Sequence, residues 1–131
     1  MKILFICRAN VGRSQAAMAL YNHMHLEHSD SAGTVVYQPE VSLKDREGAM
    51  NIVQAMSEQG LDISENYPKQ VTESLIENYE KLIVMAEPET IPEWLRNNPK
   101  TELWTVQDAK GESIETTRRI VQEIKDRVAL I

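Results

Sequence analysis

Apolar positions along the chain fall into two patterns, short continuous runs and repeats at helical spacing. Continuous runs occur at residues 2–7 (KILFIC), 81–86 (KLIVMA) and 102–106 (ELWTV). Runs of this length are typical of parallel strands that are covered on both faces of a sheet. We expect a further strand somewhere within residues 27–37 (EHSDSAGTVVY), where no continuous run marks its start.

Three segments carry apolar residues at the spacing of a helix. The first covers residues 14–24 and the second covers residues 43–60. Gly60, at the end of the second segment, is suited to the left-handed residue that ends a helix. The third segment, residues 113–131, has the clearest repeat, and its apolar face comprises Ile114, Thr117, Val121, Ile124, Val128 and Ile131.

Strands therefore alternate with helices along the chain. This alternation predicts a parallel sheet with helices on both faces, joined by right-handed crossovers. Ligands in such sheets bind beyond the carboxyl ends of the strands. Cys7 ends the first apolar run, and Asp108 follows the run at residues 102–106. We therefore expect both side chains at the ligand-binding edge of the sheet.

The composition narrows the class of protein. The length of 131 residues fits one domain spanning residues 1–131, and the hydrophobic fraction of 42% and charged fraction of 26% are typical of a globular fold. The formal net charge of −6 argues against nucleic acid or an anionic membrane as a partner. The first apolar run is too short for a membrane helix and is followed by polar residues, so we expect a cytoplasmic protein without a signal peptide.

The segment CRANVGRS, residues 7–14, joins the first predicted strand to the first predicted helix. A turning backbone that leads into a helix can point several N–H groups at one anion. We expect Gly12 to permit the tight backbone and Arg13 to offer two parallel donors to a phosphate or a similar oxyanion. These positive groups would stabilise the thiolate of Cys7, which is then placed for in-line attack on the central atom of the anion.

Two polar side chains of this loop have supporting roles in the same hypothesis. Ser14 could donate a hydrogen bond to the sulfur and help it to leave later. Asn10 could brace the loop and hold its N–H groups inward. The alternative interpretation is that Cys7 is a small apolar residue at a buried strand end, because unpaired cysteine is among the most buried residue types.

The loop also supports a family resemblance. CRANVGRS resembles the C-x5-R-S loop of the low-molecular-weight protein tyrosine phosphatases and the related arsenate reductases. Further matches follow in the family's order at SAGT (31–34), GLDISENYPKQVT (60–72), LIVMAEP (82–88) and VQDAKG (106–111). The resemblance implies an α/β three-layer sandwich with a four-stranded parallel sheet, flavodoxin-like and of the phosphotyrosine protein phosphatase I-like kind.

The resemblance also implies a two-step reaction. Cys7 would take the phosphoryl group as a thiophosphate, while Arg13 and the loop N–H groups hold its equatorial oxygens. Asp108 matches the family's general acid, which protonates the leaving phenolate and then activates water.

The remaining site residues are likewise implied by the resemblance. Ser31 would join Asn10 and Ser14 in a hydrogen-bond network that shapes the loop. Tyr37 falls where the family often has an aromatic wall for the substrate ring. The substrate-binding set is therefore Arg8, Ala9, Asn10, Val11, Gly12, Ser14 and Tyr37.

The chain departs from the family pattern at several positions. Ala9 stands where glycine is common, which is tolerated if its φ stays negative. Gly12 stands where a second cysteine is common, so the redox switch between neighbouring cysteines is missing. Arg8 is large and charged where smaller apolar residues are common. Residues 108–111 (DAKG) keep the acid but lack the tyrosines that favour phosphotyrosine. The missing tyrosines and the RSQ at residues 13–15 favour the arsenate reductase branch of the family.

Three functions fit these residues. A phosphatase that hydrolyses phosphotyrosine or another aryl phosphate through a phosphocysteine needs only water and the acid–base group of Asp108. An arsenate reductase needs thiols to resolve its adduct, and a chain with one cysteine would depend on an external low-molecular-weight thiol. A module that binds an oxyanion or a phosphorylated protein without turnover gains nothing from a carboxylate that faces a dianion. The phosphatase is therefore the preferred hypothesis.

Two other groups of polar residues have simpler interpretations. Glu87 also follows a predicted strand and is the fallback acid, although a negative charge at a helix start is its simpler role. His23, His25 and His28 lie near the end of the first predicted helix without carboxylate or thiolate companions. We therefore expect neither a metal site nor a cofactor.

Overall fold

Four parallel strands form the centre of the computed structural model, which describes residues 1–131. They are β1 (Ile3–Cys7), β2 (Ser29–Gly33), β3 (Lys81–Val84) and β4 (Thr101–Leu103), arranged in the order β2-β1-β3-β4. Cys7 pairs in register with Gly33 of β2, and Ile6 pairs with Val84 of β3. The carboxyl ends of the strands therefore meet at one edge, and the predicted four-stranded parallel sheet is confirmed.

Helices cover both faces of this sheet. They are α1 (Arg13–His25), α2 (Met50–Glu58), α3 (Glu73–Ile76), α4 (Glu93–Arg96) and α5 (Ile114–Ala129). Phe5 packs in one buried cluster with α1, α2 and α5, while Leu4 packs in a second cluster with α3 and α4. Successive side chains of a strand point to opposite faces, so each strand supplies both clusters and the three-layer sandwich follows. No helix is both long enough and apolar enough to cross a membrane.

The single helix predicted over residues 43–60 is wrong in its first part. Two 3₁₀ turns, Leu43–Asp45 and Glu47–Ala49, precede α2, and Arg46 between them is extended with φ −111° and ψ 118°. The guanidinium of Arg46 donates hydrogen bonds to carbonyl oxygens in the preceding loop, so this residue holds the loop instead of continuing a helix. The predicted end is confirmed, because Gly60 adopts a positive φ of 79°.

The last strand lies earlier than the apolar run at residues 102–106 predicts. Glu102 and Leu103 are exposed at the edge of the sheet, whereas Trp104 and Val106 are buried. The backbone N–H of Trp104 still donates to the Val84 carbonyl oxygen at 2.9 Å, and the chain then leaves the sheet. This exit brings residues 105–110 to the carboxyl edge, beside the loop that follows β1.

Candidate active site

The loop after β1 surrounds a pocket with Cys7 at its floor. Cys7 is only 2% exposed, yet it lines a cavity of about 360 Å³ together with most of the loop and residues from two other segments. Among the predicted site residues, the pocket brings together Cys7, Arg8, Ala9, Val11, Gly12, Arg13, Tyr37 and Asp108. A cysteine enclosed in the core would not reach such a cavity, so the structure favours the anion-site interpretation.

The backbone N–H groups of this loop have no acceptors within the protein. From Arg8 to Gln15, none of them donates a hydrogen bond to another protein group. The carbonyl groups at the start of the loop are nevertheless fixed, because the Thr34 N–H donates to the Cys7 oxygen at 2.9 Å and the Val35 N–H donates to the Arg8 oxygen at 2.8 Å. A held loop with a run of free donors at a helix N-terminus is suited to bind an anion.

A chain of hydrogen bonds leads through Asn10 to the sulfur. The Lys69 N–H donates to Asn10 Oδ1 at 2.8 Å, which fixes the orientation of the Asn10 amide. Asn10 Nδ2 then donates to Ser14 Oγ at 2.7 Å. Ser14 Oγ lies 3.0 Å from Cys7 Sγ, and because it already accepts from Asn10 its own proton is free to point at the sulfur. This arrangement places a hydroxyl donor against the Cys7 sulfur.

Two residues that were not among the predicted site residues extend this network, and one that the resemblance indicated is absent from it. Gln15 Nε2 donates to the Asn10 carbonyl oxygen at 3.1 Å, and Gln15 Oε1 accepts from Asn66 Nδ2 at 3.0 Å. Only the position of Gln15 directly after Ser14 could have suggested it. The structure does not bring Ser31 into the network, because it pairs with Phe5 in the middle of β2, two residues before the edge.

The glycine that the loop requires is in β2. Gly12 has a φ of −109° and a ψ of −84°, and an added methyl group would meet nothing within 4 Å, so neither a positive φ nor a close approach accounts for glycine at this position. The left-handed residue is instead Asn10 with φ 57°, a type that tolerates this conformation, while Ala9 keeps a negative φ. A Cβ on Gly33 would lie 2.6 Å from the Arg8 carbonyl oxygen and 2.9 Å from the Asn10 nitrogen. Gly33 therefore permits the close approach of the loop to the sheet.

Arg13 is held rigidly with one edge left free. Its side chain is 3% exposed. Nη1 donates to the carbonyl oxygens of Met85 at 2.7 Å and Val106 at 3.1 Å, and Nη1 and Nη2 together bind the two carboxylate oxygens of Glu87 at 2.9 and 3.1 Å. Nε donates to no protein atom, and it shares its edge of the planar guanidinium with the remaining N–H of Nη2. This edge offers two parallel donors to an oxyanion.

Glu87 fixes the charge as well as the position of Arg13. The hydrogen bond from Arg13 lowers the pKa of the Glu87 carboxyl below its usual value. Burial acts to lower the pKa of Arg13, but the bond to Glu87 and the nearby charges of Cys7 and Asp108 outweigh it and raise the pKa. Because both oxygens of Glu87 are bound to Arg13, the structure does not favour Glu87 as the fallback acid. Glu87 also precedes a 3₁₀ turn, Pro88–Thr90, as its simpler interpretation predicted.

Asp108 stands opposite this free edge of Arg13. Its Oδ2 lies 3.8 Å from Arg13 Nη2, and its side chain is 46% exposed where it lines the pocket. Its Oδ1 accepts a hydrogen bond from the Lys110 N–H at 3.1 Å, so Asp108 also acts as a turn residue. Tyr37, which is 52% exposed, lines the same pocket from the loop that follows β2. The pocket therefore combines a thiol, a fixed cation and a solvent-accessible carboxylate.

Comparison with solved structures identifies proteins with the same fold. An arginine phosphatase, YwlE, from Geobacillus stearothermophilus has a TM-score of 0.78 at 22% identity, with 97% of this chain and 87% of that chain covered. Vibrio vulnificus Wzb in complex with benzylphosphonate has a TM-score of 0.81 at 20% identity, covering 98% and 94%. An arsenate reductase from Archaeoglobus fulgidus has a TM-score of 0.72 at 24% identity, covering 98% and 96%. At these identities the similarity shows the fold alone.

Comparison of sequences identifies the family. A Halobacterium salinarum protein that is named provisionally as an arsenate reductase is 26% identical over 133 residues, which cover 97% of this chain and 87% of that relative. The family model described as low molecular weight phosphotyrosine protein phosphatase matches residues 2–130. The chain therefore belongs to the low molecular weight phosphotyrosine protein phosphatase family, a family of cysteine-dependent phosphatases and arsenate reductases.

Proposed function

We propose that this protein is a phosphatase that hydrolyses phosphomonoesters, with phosphotyrosine or another aryl phosphate as substrate, through a phosphocysteine intermediate. One observation carries the proposal. Asp108 lies beside the free edge of Arg13, over a pocket whose floor holds the only cysteine of the chain. A nucleophile, an oxyanion site and a proton donor are sufficient for phosphoryl transfer to the enzyme and then to water.

In the first step, Cys7 Sγ attacks phosphorus and the bond from phosphorus to the leaving oxygen breaks. The equatorial oxygens accept hydrogen bonds from the free loop N–H groups and from Nε and Nη2 of Arg13. These donors are in place before the substrate arrives, so they stabilise the charge that develops without reorganising. Asp108, protonated, donates its proton to the leaving oxygen, which departs as a neutral alcohol.

In the second step, water attacks phosphorus and gives a proton to the Asp108 carboxylate. The bond between sulfur and phosphorus breaks, and inorganic phosphate is released. Ser14 Oγ, 3.0 Å from the sulfur, donates to the departing thiolate and stabilises it. The cycle returns Cys7 and Asp108 to their starting protonation states and requires no electrons from outside.

Arsenate reduction is the second candidate, and the Halobacterium salinarum relative is the observation that favours it. Arsenate has the shape and charge of phosphate, so the same pocket accepts it. Reduction to arsenite takes two electrons, which two thiols supply when they form a disulfide. Because Cys7 is the only cysteine, a small external thiol would have to resolve the cysteine–arsenate adduct.

A side-by-side assay separates these candidates. Purified protein is given an aryl phosphate without thiol, and in parallel arsenate with glutathione or another small thiol, with Cys7→Ser as the control for both. We expect aryl phosphate hydrolysis that is lost in Cys7→Ser. Thiol-dependent arsenite formation without phosphate release would favour the reductase, and binding of phosphate without either reaction would favour a non-catalytic module.

A further inference from the structure

The pocket around Cys7 carries a charge opposite to that of the whole chain. The chain has 20 aspartates and glutamates against 14 lysines and arginines, giving a formal charge of −6. The residues that line the pocket nevertheless include four cations and a single carboxylate, that of Asp108. The cations are Arg8, Arg13, Arg46 and Lys110. Such a local reversal of sign favours an anionic ligand beyond what one oxyanion site requires.

Three of these cations remain available when Arg13 holds the phosphoryl group. The side chains of Arg8 and Lys110 form no ion pair and no hydrogen bond within the protein. Glu87 lies close enough to Arg8 to respond to its charge, but both oxygens of Glu87 are bound to Arg13. Arg46 donates only to carbonyl oxygens of the 37–41 loop, which leaves its full charge in place.

The positions of these cations indicate where further negative charge is expected. Arg8 comes from the loop after β1, Arg46 from the segment before α2, and Lys110 from the loop that carries Asp108. We name Arg8, Arg46 and Lys110 the cationic rim. Its members therefore line the pocket from three separate segments of the chain. Tyr37, half-exposed in the same wall, offers an aromatic face to the substrate ring.

We infer that the favoured substrate is a phosphotyrosine segment flanked by acidic residues, whose carboxylates contact the cationic rim. This inference rests on the proposed phosphatase function and specifies its substrate class. A carboxylate beside a rim cation is attracted by its charge, and the attraction is stronger at a protein surface than in bulk water. Side-chain ordering and salt offset part of this attraction, so a preference of about 10-fold over a neutral segment is expected.

Three phosphotyrosine peptides that differ only in their flanking residues test the inference. One carries glutamates beside the phosphotyrosine, the second glutamines and the third lysines. We expect kcat/KM to be about 10-fold higher for the glutamate peptide than for the glutamine peptide and lowest for the lysine peptide, with differences that shrink as salt is added. Arg8→Gln and Lys110→Gln should each reduce the ratio of glutamate to glutamine peptide. Lys2→Gln, which makes the same charge change at the opposite end of β1, should leave that ratio unchanged.

The outcomes separate this inference from the proposed function. If all three peptides are hydrolysed at similar rates, the inference is overturned and the phosphatase function stands. A preference for 4-carboxyphenyl phosphate over phenyl phosphate, without any preference among the peptides, would also overturn it, because the second anion would then belong to a small molecule. If no peptide and no aryl phosphate is hydrolysed, the proposed function fails and the inference fails with it.

Discussion

Replacing Gly33 by alanine tests whether the edge of β2 sets the position of the loop. The new Cβ would lie 2.6 Å from the Arg8 carbonyl oxygen, 2.9 Å from the Asn10 nitrogen and 2.9 Å from Val36 Cγ2. An ordinary contact between carbon and oxygen is about 3.3–3.6 Å, so the backbone at Arg8 must move by roughly 0.7 Å or more. Backbone atoms cannot rotate away as a side chain can, and the displacement therefore falls on the loop around Cys7.

The expected loss follows from this overlap. Forcing an extra methyl group into a packed site costs about 1–3 kcal/mol, which for a chain of this length lowers Tm by roughly 4–12 °C. The same displacement moves the free N–H groups away from the phosphoryl oxygens. A misplacement of about 1 Å at a reacting centre can cost about 100-fold, so we expect kcat/KM for an aryl phosphate to fall about 10- to 100-fold.

Gly48→Ala is the matched control for this substitution. Gly48 lines the same pocket, but the nearest atom to an added Cβ is Lys110 Cγ at 4.0 Å, which is an ordinary contact. Thermal unfolding followed by circular dichroism should show a lowered Tm for Gly33→Ala and little change for Gly48→Ala. A Gly33→Ala variant with the Tm and the kcat/KM of the wild type would refute the close approach of loop and strand.

Three further substitutions test the roles of the charged residues. Glu87→Gln removes a charge-assisted pair to Arg13, and we expect a loss of about 1–2 kcal/mol in urea unfolding at neutral pH, since the partly exposed pair is worth less than a buried one. Arg13 lowers the folded-state pKa of Glu87, so the extra stability of the wild type is fully present above the unfolded-state pKa of about 4.3. This stability is lost as the pH falls through the folded-state pKa. A stability difference between wild type and variant that is constant with pH would contradict the pairing. Asp108→Asn should slow phenyl phosphate, which has a poor leaving group, more than 4-nitrophenyl phosphate, and equal slowing would reject Asp108 as the general acid. Arg13→Lys should lower kcat/KM by at least about 100-fold, because one ammonium cannot replace two parallel donors, and a loss below about 5-fold would show that the free edge does not bind the phosphoryl group.

Much of the fold could be predicted because its signals are local. β1 is apolar throughout and β3 is apolar after Lys81, because both faces of these central strands are covered, and α5 repeats its apolar residues at steps of three and four. The prediction for residues 43–60 was wrong in its first part because the helical spacing of Ala49, Val53 and Met56 was extended back over residues 44–48, which contain no apolar residue. The interruption depends on Arg46, whose guanidinium binds carbonyl groups of another loop, and such a contact leaves no periodic trace in the sequence.

The residues of the candidate site could also be predicted only where their signals are local in the sequence. The loop residues Cys7, Asn10 and Ser14 could be recognised because they lie within eight consecutive positions between a strand and a helix. The partner of Arg13 could not, because Glu87 is 74 residues away and meets it only when β3 lies beside β1. Gly33 could not be recognised either, because a side chain at this position would clash with a loop that is distant in sequence.

A rapid-quench experiment tests the central claim, that the Cys7 sulfur carries the phosphoryl group during turnover. The protein is mixed with excess 4-nitrophenyl phosphate, quenched within the first turnover and examined by peptide mass spectrometry. We expect a burst of 4-nitrophenol equal to the enzyme concentration and one phosphoryl group on the peptide that contains Cys7. Hydrolysis at full rate with no phosphoryl group on Cys7, or with the group on another residue, would contradict the account.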